Sequence, residues 1–238
     1  MKIFVATGNT DKFNRMKNWV DTDFIWLNPN DLDTDLAKLT KVTDEEEKAM
    51  GDMAGRAIGK AKKAAKALAN YGEEMLILAM DDTGYFPFFD QYIVDLRTPP
   101  DIVQDGVIKV KGVKNRLSGA GVSNHYAHIV GEVATKELMQ EEAAKYGYTE
   151  LPDFKFMPVV WKFALAAVEN GKYEQAEVIA NWEHVEYMKE EYLSDDIEDT
   201  GYMLDKIIVR DVFGNNTKGL NEEIAPKIAL QKLLESYR

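Results

Sequence analysis

The stretch Met75-Leu76-Ile77-Leu78-Ala79-Met80-Asp81-Asp82-Thr83-Gly84 decides the reading of this chain. Six consecutive apolar residues are what a central strand covered on both faces requires, because neither face can then be polar. The run stops at two adjacent carboxylates, and Asp81-Asp82-Thr83-Gly84 reads as a turn. Open α/β sheets bind ligands at the carboxyl edge of their central strands. Two like charges at such an edge are costly unless a cation shares them, which points to a divalent metal. A turn with helix-capping duty is the plainer alternative.

Upstream, residues 45–70 read as one long helix. Met50, Met53, Ala54, Ala57, Ile58, Ala61, Ala64, Ala65 and Leu68 recur at helical spacing, with lysines on much of the other face. Lys62, Lys63 and Lys66 fit a solvated face. Further upstream, residues 2–6 read as a short buried strand and Thr7-Gly8-Asn9-Thr10 as a turn. A helix over about 11–20 and a second strand over 23–27 complete a β-loop-α-β opening. A strand that ends in a glycine turn and enters a helix aims backbone N–H groups and the positive end of the helix dipole at one spot, which suits phosphate. Thr7 and Asn9 can add hydrogen bonds and Lys12 a full charge. Neither the GxxxxGK[ST] nor the GxGxxG spacing is present, and a plain glycine turn with an N-cap is the competing reading.

Downstream, the patterns predict a hairpin at 107–113, a polar loop at 118–124 and a helix over about 126–146. Strands at 161–168 and 177–184 would be joined by the Asn170-Gly171 turn. An acidic loop at 194–199, a strand at 206–210 and an amphipathic helix at 222–237 close the chain. No repeat or Pro/Gly/Ser-rich linker forces a cut, so one α/β domain over 1–238 is expected.

Composition narrows the function. Apolar residues are 45% and aromatics 11% of 238, enough for a substantial core. Twenty-nine Lys and Arg against 41 Asp and Glu give a net charge of −12, which argues against a DNA or RNA polymer as partner. A small nucleotide remains compatible, since a few lysines, a helix N-terminus and a metal can hold a triphosphate. An acidic interaction protein that mimics a polyanion is the reading that charge alone would support. The absence of cysteine removes disulfides, cysteine-zinc sites and thiol catalysis, and agrees with a reducing compartment. Met1-Lys2-Ile3-Phe4-Val5 begins as a strand and no apolar run spans a membrane, so a soluble cytoplasmic protein is expected. His125 and His128, with HxxH spacing, read as surface residues. The acidic runs at 44–47 and 195–199 read as a helix start and a solvated loop. Tyr85, Phe86, Phe88 and Phe89 read as core or dimer surface.

Three of these pieces stand in the order and spacing of one family. Thr7-Gly8-Asn9-Thr10-Asp11-Lys12, then Arg56-Ala57-Ile58-Gly59-Lys60-Ala61, then Ala79-Met80-Asp81-Asp82-Thr83-Gly84 resemble (S/T)GNxxK, ENAxxKA and ADDSG of the Ham1-like inosine/xanthosine triphosphate pyrophosphatases. Thr200-Gly201-Tyr202-Met203-Leu204-Asp205-Lys206-Ile207 is similar to that family's NGFGYDPI segment, and Ala229-Leu230-Gln231-Lys232-Leu233 to the end of its SHRxxALxKL helix. Residues 91–157 do not align and form an insertion or lobe.

The resemblance implies an α/β fold with a long curved mixed sheet, flanking helices and two lobes around a nucleotide cleft, often in a homodimer. It implies Mg²⁺-dependent hydrolysis of a nucleoside triphosphate to monophosphate and pyrophosphate. Thr7, Gly8, Asn9 and Lys12 would hold the phosphates, and Lys60 would pair with them. Asp81 and Asp82 would serve the metal, with Asp82 acting on the attacking water. Thr83, Gly84, Tyr202, Asp205 and Lys227 would complete the substrate contacts. The chain also departs from the pattern. The family's metal-binding Glu falls on Gly55, and Asp52, three residues earlier on the same helix face, is the expected substitute. The SHR that helps read the purine is replaced by Ile224-Ala225-Pro226-Lys227. A nucleotide-binding module of the same fold with impaired catalysis is therefore the alternative.

Overall fold

A computed structural model describes residues 1–20, 24–71, 74–194, 203–209, 212–213 and 224–237. In chain order the elements are β1 (Lys2–Val5), α1 (Thr10–Lys17), β2 (Ile25–Leu27), α2 (Thr34–Thr40), α3 (Asp44–Ala49), α4 (Met53–Ala67), β3 (Met75–Phe86), β4 (Gln91–Ile93), β5 (Ile102–Gln104) and β6 (Val107–Val110). They continue with α5 (Ala120–Val133), α6 (Lys136–Ala144), β7 (Phe156–Glu169), β8 (Glu177–Lys189), β9 (Ile208–Val209) and α7 (Ile224–Glu235). The main sheet has the order β2-β1-β3-β7-β8-β9, with β4 paired to β3. It is mixed: β1 runs parallel to β2 and β3, whereas β3–β4 and β8–β9 are antiparallel. Among the described residues no helix is long and apolar enough to cross a membrane.

The chain divides into two compact units. Unit 1 holds residues 1–82, 163–182 and 221–238, and unit 2 holds 83–162 and 183–220. The core of unit 1 is the apolar stripe of α4 laid on a sheet face. Ala57, Ala61, Ala64, Ala65 and Leu68 meet Phe4, Met75, Ile77, Ala79, Ala164 and Ala166, all fully buried. Small alanines at helical spacing let the helix backbone approach the strands closely. Unit 2 is built on aromatics. Phe86 stacks on Phe89 and Tyr126, and Phe156, Tyr187 and Phe213 pack edge to face.

Several boundaries differ from the sequence expectation. The helix expected over 45–70 is two, α3 and α4, broken at Gly51, whose φ of 82° no helix tolerates. The run of β3 does not turn at Asp81-Asp82-Thr83-Gly84 but continues as strand to Phe86, because β4 supplies a pairing partner from Gly84 onward. The helix expected over 126–146 is also two. Thr135 caps α6 by accepting from the Leu138 N–H, and α5 begins at Ala120, inside the expected polar loop. The hairpin expected at 107–113 pairs β5 with β6 instead, turning at Asp105 and Gly106, which both have positive φ. Asn170 and Gly171 do end β7, with Gly171 at φ 79°. Within the aromatic cluster, Phe86, Phe88 and Phe89 are core, while Tyr85 pairs with Tyr92.

Candidate active site

The loop after β1 is arranged by its own side chains. Asn9 caps α1, its Oδ1 accepting from the N–H groups of Asp11 (2.9 Å) and Lys12 (3.1 Å), and Thr7 Oγ1 accepts from the Asn9 N–H at 3.1 Å. These are the N-cap contacts that the sequence TGNTDK favours. A Cβ built on Gly8 would meet nothing within 4 Å, so internal packing does not demand glycine there and the loop backbone is open to approach.

Lys12, one turn into α1, forms an ion pair with Asp82 on β3. The neighbouring Asp81 points to the opposite face, as successive strand residues must. There its Oδ2 accepts from Arg56 Nε at 2.9 Å and Lys60 Nζ at 3.0 Å, both on α4, while Oδ1 accepts from the Asp82 N–H at 2.7 Å. Arg56 and Asp81 are both buried. Lys60 also pairs with Glu47 of α3 at 2.5 Å, so its ammonium bridges two carboxylates from different elements. Six charged side chains from β3, α1, α3 and α4 thus form one connected set within unit 1.

The electrostatics keep Asp82 and Lys60 ionised. Burial pushes the Asp82 carboxyl up, but Lys12, with Lys60 and Arg15 nearby, more than offsets this and holds it below the usual carboxylate value. Burial likewise pulls Lys60 down, and Asp81 and Glu47 outweigh it, so its ammonium is held more firmly than in an ordinary lysine. Arg15 itself lies 5.4 Å from the ring of Phe163.

Lys12, Lys60, Asp81 and Asp82 are therefore brought together, with Thr7, Gly8 and Asn9 on the loop that leads into α1. Asp52 is engaged elsewhere: it caps α4, its Oδ1 accepting from the Gly55 N–H at 2.8 Å. Thr83 Oγ1 donates to the Ile93 carbonyl, and a Cβ on Gly84 would press on the rings of Phe86 and Trp161, so both serve sheet packing in unit 2. Lys227 is exposed on α7, with no described contact to the acidic pair. Asp205 falls in a single 3-10 turn, Met203–Lys206, and Tyr202 lies outside the described residues.

Sequence reasoning missed Glu47 and Arg56. The signal was present in Gly55 and Gly59, four residues apart on an alanine-rich helix. A Cβ at Gly55 would collide with the Met50 carbonyl oxygen, and one at Gly59 with the Met50 side chain. The glycines let the α3–α4 turn lie directly on α4, with α3, which carries Glu47, immediately before it. A glutamate at 55 has no room, and the acid that reaches Lys60 comes from the helix before it.

Among the described residues no three acidic or histidine side chains converge closely enough to hold a metal unaided. Mg²⁺, however, is commonly held by one or two carboxylates together with substrate phosphates. Glu47 and Asp81 converging on a single ammonium fit that pattern, since the position between them already carries a cationic charge.

No protein-family model matches the sequence, and no curated protein matches it as a sequence relative. The structure aligns with a HAM1 protein from Coxiella burnetii over 99% of both chains, with a TM-score of 0.51 and 12% identity. It also aligns with the Ham1 protein of Staphylococcus aureus over 100% of both chains, at a TM-score of 0.46 and 16% identity. The chain has a Ham1-like α/β fold, as its opening motifs led one to expect.

Proposed function

We propose that this Ham1-like chain is a nucleoside triphosphate pyrophosphohydrolase, taking a triphosphate and water to monophosphate and pyrophosphate with Mg²⁺ as cofactor. The observation that carries the reading is the coupled set Lys12–Asp82 and Glu47–Lys60–Asp81, beside an open glycine loop at a helix N-terminus.

The chain's own groups divide the work. The Gly8 loop and the N-terminal end of α1 receive phosphate oxygens, helped by the helix dipole. On binding, Lys12 exchanges the Asp82 carboxylate for a phosphate, and Lys60 does the same for Glu47 and Asp81. Each lysine then balances negative charge that builds on the departing pyrophosphate. Released from Lys12, the contact that most lowers it, the Asp82 carboxylate gains proton affinity, orients a water and takes its proton as the water oxygen bonds to the α-phosphorus. The anhydride bond breaks, and its electron pair leaves with the pyrophosphate. Glu47 and Asp81 are the residues that would hold Mg²⁺ together with the substrate phosphates, and the ion would supply Lewis-acid polarisation of the phosphoryl oxygens when bound. Asp52 keeps its capping role.

The test is pyrophosphate release across standard and modified nucleoside triphosphates, with Mg²⁺ and with EDTA, beside Asp82→Asn. Metal-dependent release that the variant abolishes supports the reading. Silence across the panel from folded protein rejects it, and nucleotide-induced stabilisation without turnover would then point to a binding module.

A further inference from the structure

Arg56 adjoins the site, and the role assigned to it rests on the functional reading above. Its guanidinium makes three separate contacts. Nε donates to Asp81 Oδ2 at 2.9 Å, one terminal nitrogen to the Gly51 carbonyl at 3.2 Å, and the other to the Asp82 carbonyl at 3.4 Å. The residue is 4% exposed. Neutralising Asp81 does not by itself require this, because Lys60 already pairs with the same carboxylate oxygen at 3.0 Å. The acceptors are distributed in an informative way. Asp81 and Asp82 are the acidic pair within β3, and Gly51 is the hinge of the turn between α4 and the helix that carries Glu47.

We propose that Arg56 is a positioning residue that sets the two sources of carboxylate, Asp81 within β3 and Glu47 on α3, at a fixed separation by way of the α3–α4 turn. A planar fork with several donors in rigid geometry can span three acceptors at once. Lysine, a point charge on a flexible stem, cannot. The glycines at 55 and 59 allow the turn to approach α4, and Arg56 then fixes where along the approach it stops. Arg56 therefore acts through Glu47 and Asp81 and touches no substrate itself.

The experiment compares wild type with Arg56→Lys, Arg56→Gln, Glu47→Gln and the double variant Arg56→Lys/Glu47→Gln. Three quantities are read: thermal unfolding, kcat and KM for pyrophosphate release, and calorimetric Mg²⁺ affinity in the presence of a non-hydrolysable nucleoside triphosphate. Substituting a residue that holds metal-binding carboxylates in place changes metal affinity or activity by about 10–100-fold. Arg56→Lys is expected to fold, to lose kcat and Mg²⁺ affinity by about tenfold or more, and to keep KM for the nucleotide within about threefold. It should add little to the loss already present in Glu47→Gln, because both changes disable one arrangement.

A folded Arg56→Lys with wild-type kcat and Mg²⁺ affinity overturns the proposal, as does full additivity with Glu47→Gln. If neither Arg56 variant folds, Arg56 is a structural ion pair only and the proposal also falls. A wild-type protein that turns over no nucleotide rejects the functional reading instead, so the two failures are distinct.

Discussion

In unit 1, Asp81 and Asp82 face the nitrogens of Arg56, Lys60 and Lys12, drawn from two helices. In unit 2, two buried glutamates are held differently. Glu186 accepts from the indole N–H of Trp161 at 2.8 Å, with His184 3.9 Å away, and Glu142 accepts from the Tyr187 hydroxyl at 2.9 Å while its other oxygen meets the exposed Lys145. Burial, with Tyr146 and Glu142 beside it, raises the Tyr187 hydroxyl well above the usual tyrosine range, so it stays a donor. An aromatic donor locked in a core cannot change partners without leaving an unsatisfied group behind. A lysine on a long stem can, provided an incoming anion replaces the carboxylate it gives up. An acid is thus held by a core aromatic in unit 2 and by the charged ends of Arg56, Lys60 and Lys12 in unit 1.

Asp82→Asn breaks the comparison most severely. It should cost about 10³-fold in kcat, within the range for loss of a general base, while circular dichroism shows an intact fold. Glu47→Gln comes next, with a Mg²⁺ requirement shifted by about 10–100-fold in a metal titration of pyrophosphate release. A wild-type titration curve from that variant would remove Glu47 from the site. Gly55→Glu places the expected family acid where the Met50 carbonyl already sits. Urea unfolding should show a loss of about 3 kcal/mol, as overpacking does, and no gain in activity.

In unit 2, Glu186→Leu removes the carboxylate that accepts from the Trp161 N–H and should cost about 2 kcal/mol of stability in the same assay. Its effect on stability, not on phosphate chemistry, is what distinguishes it from the unit 1 acids. The smallest effect is electrostatic. The Asp82 carboxyl is held below its ordinary value of 3.8, so its ion pair adds stability above that pH and loses it as pH falls through the lowered value. In metal-free protein the gap between wild type and Asp82→Asn should stay under about 1 kcal/mol near neutrality, since Lys12 is partly exposed. It should close on acidification, as seen by acid titration of tyrosine and tryptophan fluorescence.

Local chemistry carried much of the fold and part of the site. The unbroken apolar run of β3, the alanine spacing of α4 and the TGN turn with its cap each constrain the backbone within a few residues, so pattern alone reveals them. Lys12, Asp81 and Asp82 were candidates for the same reason, since each stands on or beside such a pattern, whereas Lys60 was singled out only by the family resemblance. The break at Gly51 was not, because a single glycine is tolerated in many helices and the positive φ that makes this one a turn is seen only in the folded chain. Nor was the continuation of β3 past Asp82, which depends on pairing with β4.

What the sequence determined, then, is which residues lie on which face of which element, because helix and strand periods are properties of the chain itself. Tertiary structure alone decided that Glu47 rather than Asp52 reaches Lys60, and that Arg56 spans Asp81, Asp82 and Gly51. Those contacts depend on how closely α3 and its turn approach α4, a distance set by the absence of two side chains and not by any local preference.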